Sequence, residues 1–174
     1  STVTGTSTIN VTPVNDAPVN TLPSTYTTNE DTSVRLTGIS VADVDAGTGT
    51  VTVTLAVSSG TITASSAGSV TVAGTGTGTV TLTGTLANIN SYLASSTTAP
   101  LYVPASNVNG TATLTLTTSD GGNTGSGGVK SDADTSTITI SAVNDAPVNT
   151  LPTTLTTNED TSVKLTGLSV TDVD

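Results

Sequence analysis

Threonine alternates with valine, leucine or isoleucine along six stretches of the chain, over residues 32–41, 51–57, 69–73, 79–83, 111–118 and 135–143. A period of two sends successive side chains to opposite faces of an extended backbone, so each stretch predicts a half-buried strand with β-branched residues on both sides. Glycine, serine, asparagine and aspartate fill the gaps, and the GTGTG run at 74–78 predicts a flexible turn. One segment follows another period. In residues 86–93 (LANINSYL), Leu86, Ile89, Asn90 and Leu93 recur at helical spacing, which predicts one short helix or helical turn. About seven short strands parted by turn signals predict an all-β chain, folded as an antiparallel Greek-key β-sandwich.

The chain also repeats itself. Residues 14–45 recur at 143–174 with five of 32 positions changed, at an offset of 129 residues, and STINVTPVNDAP from Ser7 returns as STITISAVNDAP from Ser136. That offset sets the expected organisation: residues 1–13 as the last strand of a preceding repeat, 14–142 as one complete repeat, and 143–174 as a linker with the first two strands of the next. A disordered Thr/Ser-rich stalk has no need of strict alternation or of a long segment copied almost verbatim.

Composition makes the core thin. Hydrophobic residues are 33% of the chain and aromatic ones 2%, with Tyr26, Tyr92 and Tyr102 as the aromatic residues and no Cys, His, Met, Trp or Phe. No disulfide can staple it and no thiolate or imidazole can bind a metal. Thirteen acids against Arg35, Lys130 and Lys164 give a net charge of -10, which disfavours nucleic acid and anionic lipid as partners. No apolar run reaches bilayer length, so no membrane insertion is expected.

The acids are grouped in five short motifs: NDAP (Asp16, Asp145), NED (Glu30, Asp31, Glu159, Asp160), DVD (Asp43, Asp45, Asp172, Asp174), SDGG (Asp120) and SDAD (Asp132, Asp134). Threaded through a Greek-key sandwich, these motifs fall at its two ends. Asp43, Asp45 and Asp120 arrive at one pole beside the linker 14–18, and Glu30 arrives at the other beside Asn144 and Asp145. Carboxylates gathered this way repel unless a cation lies between them. Ligand sets made only of oxygen, on irregular loops, favour calcium over magnesium.

The order NDAP, NED, DVDAG, SDGG, VNDAP resembles the calcium motifs of cadherin repeats, and with residues 101–122 (LYVPASNVNGTATLTLTTSDGG) it is closer still to the bacterial cadherin-like repeats of giant secreted adhesins. The resemblance spans nearly the whole 129-residue unit. It implies an immunoglobulin- or cadherin-like sandwich that binds calcium. Asp43, Asp45 and Asp120 would act at the upper junction with Asn15 and Asp16, and Glu30 at the lower one with Asn144, Asp145, Asp172 and Asp174. Two departures stand out. The mid-domain acidic motif of cadherins is absent, and Val3 and Gly5 replace Asp132 and Asp134 in the first copy, which marks those two acids as local extras.

No catalytic base is evident to activate a serine or threonine, and the paired carboxylates recur at unit junctions as structural ligands would, so no enzyme is expected. The loop SDGGNTGSGG at 119–128 lacks a phosphate-loop pattern and reads as a mobile connector. Two functional classes remain. One is a calcium-rigidified extender of a long extracellular, cell-surface adhesin or fibre, partnered by neighbouring repeats and, as an open alternative, by other copies. The other is a direct adhesive module for carbohydrate, a surface or a like copy. Exposed Tyr92 and Tyr102 would favour the second.

Overall fold

The computed structural model describes Ser1 and residues 3–174. Its strands are β1 (Val19–Thr21), β2 (Thr25–Asn29), β3 (Val34–Arg35), β4 (Ser40–Ala42), β5 (Thr50–Val57), β6 (Thr61–Thr63), β7 (Thr71–Ala73) and β8 (Thr79–Thr85). After helix α1 (Leu86–Ala94) come β9 (Leu101–Val103), β10 (Gly110–Ser119), β11 (Ser131–Ser141), β12 (Val148–Thr150) and β13 (Ser169–Thr171). The chain is all-β with one short helix. A six-stranded sheet runs β2-β11-β10-β5-β8-β7, and a three-stranded sheet runs β3-β9-β6. The small ribbon β1-β4 lies beside them, and β12-β13 forms a separate ribbon. Among the described residues, every pairing between these strands is antiparallel except β2 with β11, which run parallel from Thr25↔Thr137 to Asn29↔Ser141, and Val14 and Ser126 form an isolated parallel bridge outside them.

The alternation places the core. Val51, Val53 and Leu55 of β5, Leu114 and Leu116 of β10, and Ile138 of β11 are all fully buried, while the threonines between them stay wholly or partly open. They close on Ile62 and Tyr102 from the smaller sheet, on Leu36 just after β3, and on Ile89 and Leu93 of the helix, in one cluster. Each such side chain contributes about 1.5–3 kcal/mol of burial. With little aromatic mass, the core depends on many small contributions. Tyr102 carries a defect, because its hydroxyl is buried without a hydrogen-bond partner. Removing that unmet polar atom recovers its desolvation cost of about 1–3 kcal/mol. Tyr102→Phe is therefore expected to leave stability unchanged or raise it in urea unfolding, and a clear loss would mean the hydroxyl has a partner in solution.

The helix starts where its period predicts. Thr85 caps it, accepting the Asn88 N–H at 3.4 Å. Asn90 is no core residue despite its spacing. Its amide accepts from the Val41 N–H at 2.9 Å and donates to the Val41 carbonyl at 2.8 Å, so the helix pins β4 just before Asp43.

The stretch 32–41 is two strands, not one. Gly38 sits at φ 79°, and a Cβ there would meet the Pro23 ring at 3.0 Å, so the chain turns between β3 and β4. At its other end the 135–143 stretch stops at Ser141, and the Val143 N–H leaves the ladder for Glu30. In the second copy, β12 and β13 pair in the register of β1 and β4: Val148↔Thr171 repeats Val19↔Ala42. The counterparts of β2 and β3, which pair with β11 and β9 in the first copy, are not strands, since residues 143–174 contain no such partners. Residues 3–13 likewise form no strand, and Val3, Ile9 and Val11 lie exposed.

Candidate metal junctions

Two groups of acids form, one at each end of the sandwich. At the upper end β4 delivers Asp43 and Asp45, β10 delivers Asp120, and the linker delivers Asn15 and Asp16. The Asp43 carboxylate caps its own turn, accepting the N–H groups of Asp45 at 2.8 Å and Ala46 at 3.0 Å through Oδ1. Its Oδ2 is buried without a partner. Asp45 accepts the Asp16 N–H at 2.6 Å, tying linker to loop.

Asp120 is fully buried and bonded on every side. Its Oδ1 accepts from the N–H groups of Gly122 and Lys130, both at 2.8 Å, and its Oδ2 accepts from the side chain of Asn15. Burial pushes its carboxyl up. The Lys130 N–H, the Asn15 amide, the Gly122 N–H and the Lys130 charge together outweigh that and hold it below the ordinary range. Asn15, itself buried, also donates to the Gly128 carbonyl at 2.8 Å.

The glycine-rich loop is the floor of this cluster and not a free connector. The Asn15 N–H donates to Ser126 O at 2.9 Å, and the Ser126 N–H donates to Pro13 O at 3.0 Å. The Thr124 hydroxyl donates to the Asp45 carbonyl. A Cβ on Gly125 would lie 2.6 Å from the Asn15 nitrogen. Glycine is there because two backbones touch, a cause that composition alone does not separate from mobility.

At the lower end Glu30 is buried and accepts the Val143 N–H at 2.7 Å, while its own N–H donates to Ser141 O at 2.9 Å. The Asp145 N–H donates to Asp174, and the Asp174 N–H donates to Asp172 Oδ1 at 3.5 Å. This is the upper pattern again, 129 residues on. The Asn144 side chain folds onto the Asp145 carbonyl at 2.7 Å. Asp145 Oδ2 is buried without a partner. Desolvation, then the charges of Asp174, Asp31, Glu30 and Asp172, push the Asp145 carboxyl above its ordinary value. Asp31 is an addition to the expected set. It holds φ 56° and accepts the Asn107 N–H at 3.2 Å, and only its place in the NED motif hinted at it.

All ten expected residues thus lie at one pole or the other. Among the described residues, no three acids already stand as a metal-binding group. Asp132 lies apart, accepting the Asn20 N–H of β1 at 2.8 Å. Tyr92 and Tyr102, whose exposure would have favoured an adhesive surface, are buried.

No family model matches the chain, and no curated protein matches it. Among solved structures it is similar to AggA, the major subunit of aggregative adherence fimbriae type I of Escherichia coli, at 12% identity and a TM-score of 0.27, over 80% of this chain and 100% of that one.

Proposed function

We propose that the chain is a structural extender repeat of a long extracellular adhesin or fibre, made rigid by calcium at the junctions between repeats. The observation that carries this reading is the pair of buried, unpartnered carboxylate oxygens, Asp43 Oδ2 above and Asp145 Oδ2 below. An anionic oxygen shut away from water without a donor is costly, and a bound cation removes that cost. Calcium fits the donors, which are carboxylate, amide and backbone oxygens on loops able to adjust to irregular coordination. Glu30, Asn144, Asp145, Asp172 and Asp174 would hold it at the lower junction, and Asn15, Asp16, Asp43, Asp45 and Asp120 at the upper. The ion supplies charge neutralisation and a fixed angle between neighbours, with no catalytic step and no enzyme activity.

Proline alone cannot set that angle. Pro147 and Pro152 fix their own φ and bias the residues before them, but the bonds between remain free. An ion held by one unit, the linker and the next unit removes that freedom. Small-angle scattering on two consecutive units should show an extended particle with a narrow distance distribution in calcium, and a shorter, broader one in chelator. Asp145→Ala should reproduce the chelated profile with calcium present. Equal dimensions and spread in both conditions would mean calcium does not set the junction.

A further inference from the structure

Two of the three cations in the chain, Arg35 and Lys164, occupy the same position in the two copies of the repeat. In an acidic protein, that placement calls for a local reason. Arg35 lies on β3 at a concavity of about 180 Å³ lined by Thr63, Ser65, Ala67, Thr98 and Leu101 among others. Among the described residues lining it there is no acid. One guanidinium nitrogen donates to the Ala99 carbonyl at 2.6 Å, which fixes the group in place. A guanidinium has five N–H donors, so most of its hydrogen-bonding capacity is left for something else.

We propose that this pocket binds a single carboxylate-bearing sugar. The guanidinium fork matches a carboxylate in two-point geometry. The walls carry hydroxyls that are already held in place: Thr98 donates to the Tyr92 carbonyl at 2.9 Å, and Thr97 shares a bond with Ser95 at 3.0 Å. Fixed hydroxyls beside one cation suit a ligand with one negative charge and several hydroxyls. A polyanion does not suit, because the net charge of -10 repels it at every other face. A second concavity, of about 290 Å³, shares Ala67 and Thr98 with the first and adds Asn88 and Ser91, so a further sugar has room to continue past Tyr92. The pocket lies at the small sheet, and none of the ten junction residues lines it. It therefore does not depend on the calcium reading. One such site per unit is weak, and repetition along a chain multiplies it.

The test is a titration of the ¹⁵N-labelled chain in excess calcium with sodium glucuronate, glucose and sodium acetate, followed by amide shifts. Glucuronate should give saturable shifts confined to residues 34–36, 61–67 and 97–103, with glucose and acetate each weaker by about tenfold or more. Arg35→Gln should weaken glucuronate by about tenfold, and Arg35→Lys, which keeps the charge but loses the two-point fork, should recover only part of the binding. The unshifted remainder of each variant's spectrum reports that it is folded. Glucose binding as tightly as glucuronate, unchanged binding in a folded Arg35→Gln, or no saturation each overturns the proposal. Acetate equalling glucuronate overturns the sugar. Shifts centred on Asp43 and Asp145 would show glucuronate drawing calcium from the poles, and they count against the pocket while leaving the junctions intact.

Discussion

Chelating calcium should lower the melting temperature by about 5–10 °C, the scale expected when a ligand at about a hundred times its Kd contributes about 2.7 kcal/mol to a domain of this size. Magnesium should restore little of that, because it demands a tighter octahedron and gives up its waters reluctantly. The same experiment has a pH signature. Without calcium, the Asp145 carboxyl titrates above its ordinary value in the folded chain. The folded state then binds the extra proton, so stability falls as pH rises from 3.8 through the raised folded value. With calcium the sign inverts. The ion holds the carboxylate ionised, its folded pKa drops, and stability is lost as pH falls. Calorimetric melting across acid pH, with and without chelator, should therefore give slopes of opposite sign from the lower cluster. Identical melting curves in calcium and chelator would mean that the acidic clusters are merely solvated.

Asp120→Ala should cost about 3 kcal/mol or more, since it leaves the Asn15 side chain and the Gly122 and Lys130 N–H groups without an acceptor, at about 1–3 kcal/mol each. The loss should appear in chelator as well as in calcium, because these bonds lie within the protein. Asp120→Asn keeps the shape but turns a nitrogen toward donors, so it should recover only part. The wild-type contribution also depends on pH. Asp120 titrates below its ordinary value, so its stabilisation is present above 3.8 and is lost as pH falls through the depressed folded pKa. A cost below about 1 kcal/mol in urea unfolding would show that the loop re-forms its bonds elsewhere.

The strands that alternate over seven or more residues were legible from the chain itself, because β5, β8, β10 and β11 each present one face to the core. Among the three-residue strands, β7 fell inside the alternating stretch 69–73, but β6 and β9 did not register. Thr61–Thr63 and Leu101–Val103 are too short for a period to register, and they exist because β9 pairs with β6 on one side and β3 on the other. The motifs that carry the acids and their neighbouring asparagines lie at the ends of the strands, since strand direction decides where each motif lands. What escaped was the contribution of neutral groups. Asn123 donates to the Thr50 carbonyl at 2.8 Å, and Gly125 admits Asn15; neither has a charge or a period to announce it.

The parallel pairing of β2 beside β11 has a mechanical consequence. Within the unit the chain passes through the short β1 into β2 and leaves just after β11, and β2 and β11 point the same way. Tension applied through the termini therefore pulls them past each other along their length, in shear. The hydrogen bonds between Thr25–Asn29 and the end of β11 lie across that pull and must rupture together rather than one at a time. A unit built this way resists stretching at its terminal strands before its core is exposed. The Glu30 carboxylate, bonded to the Val143 N–H at the exit, sits where that shear begins.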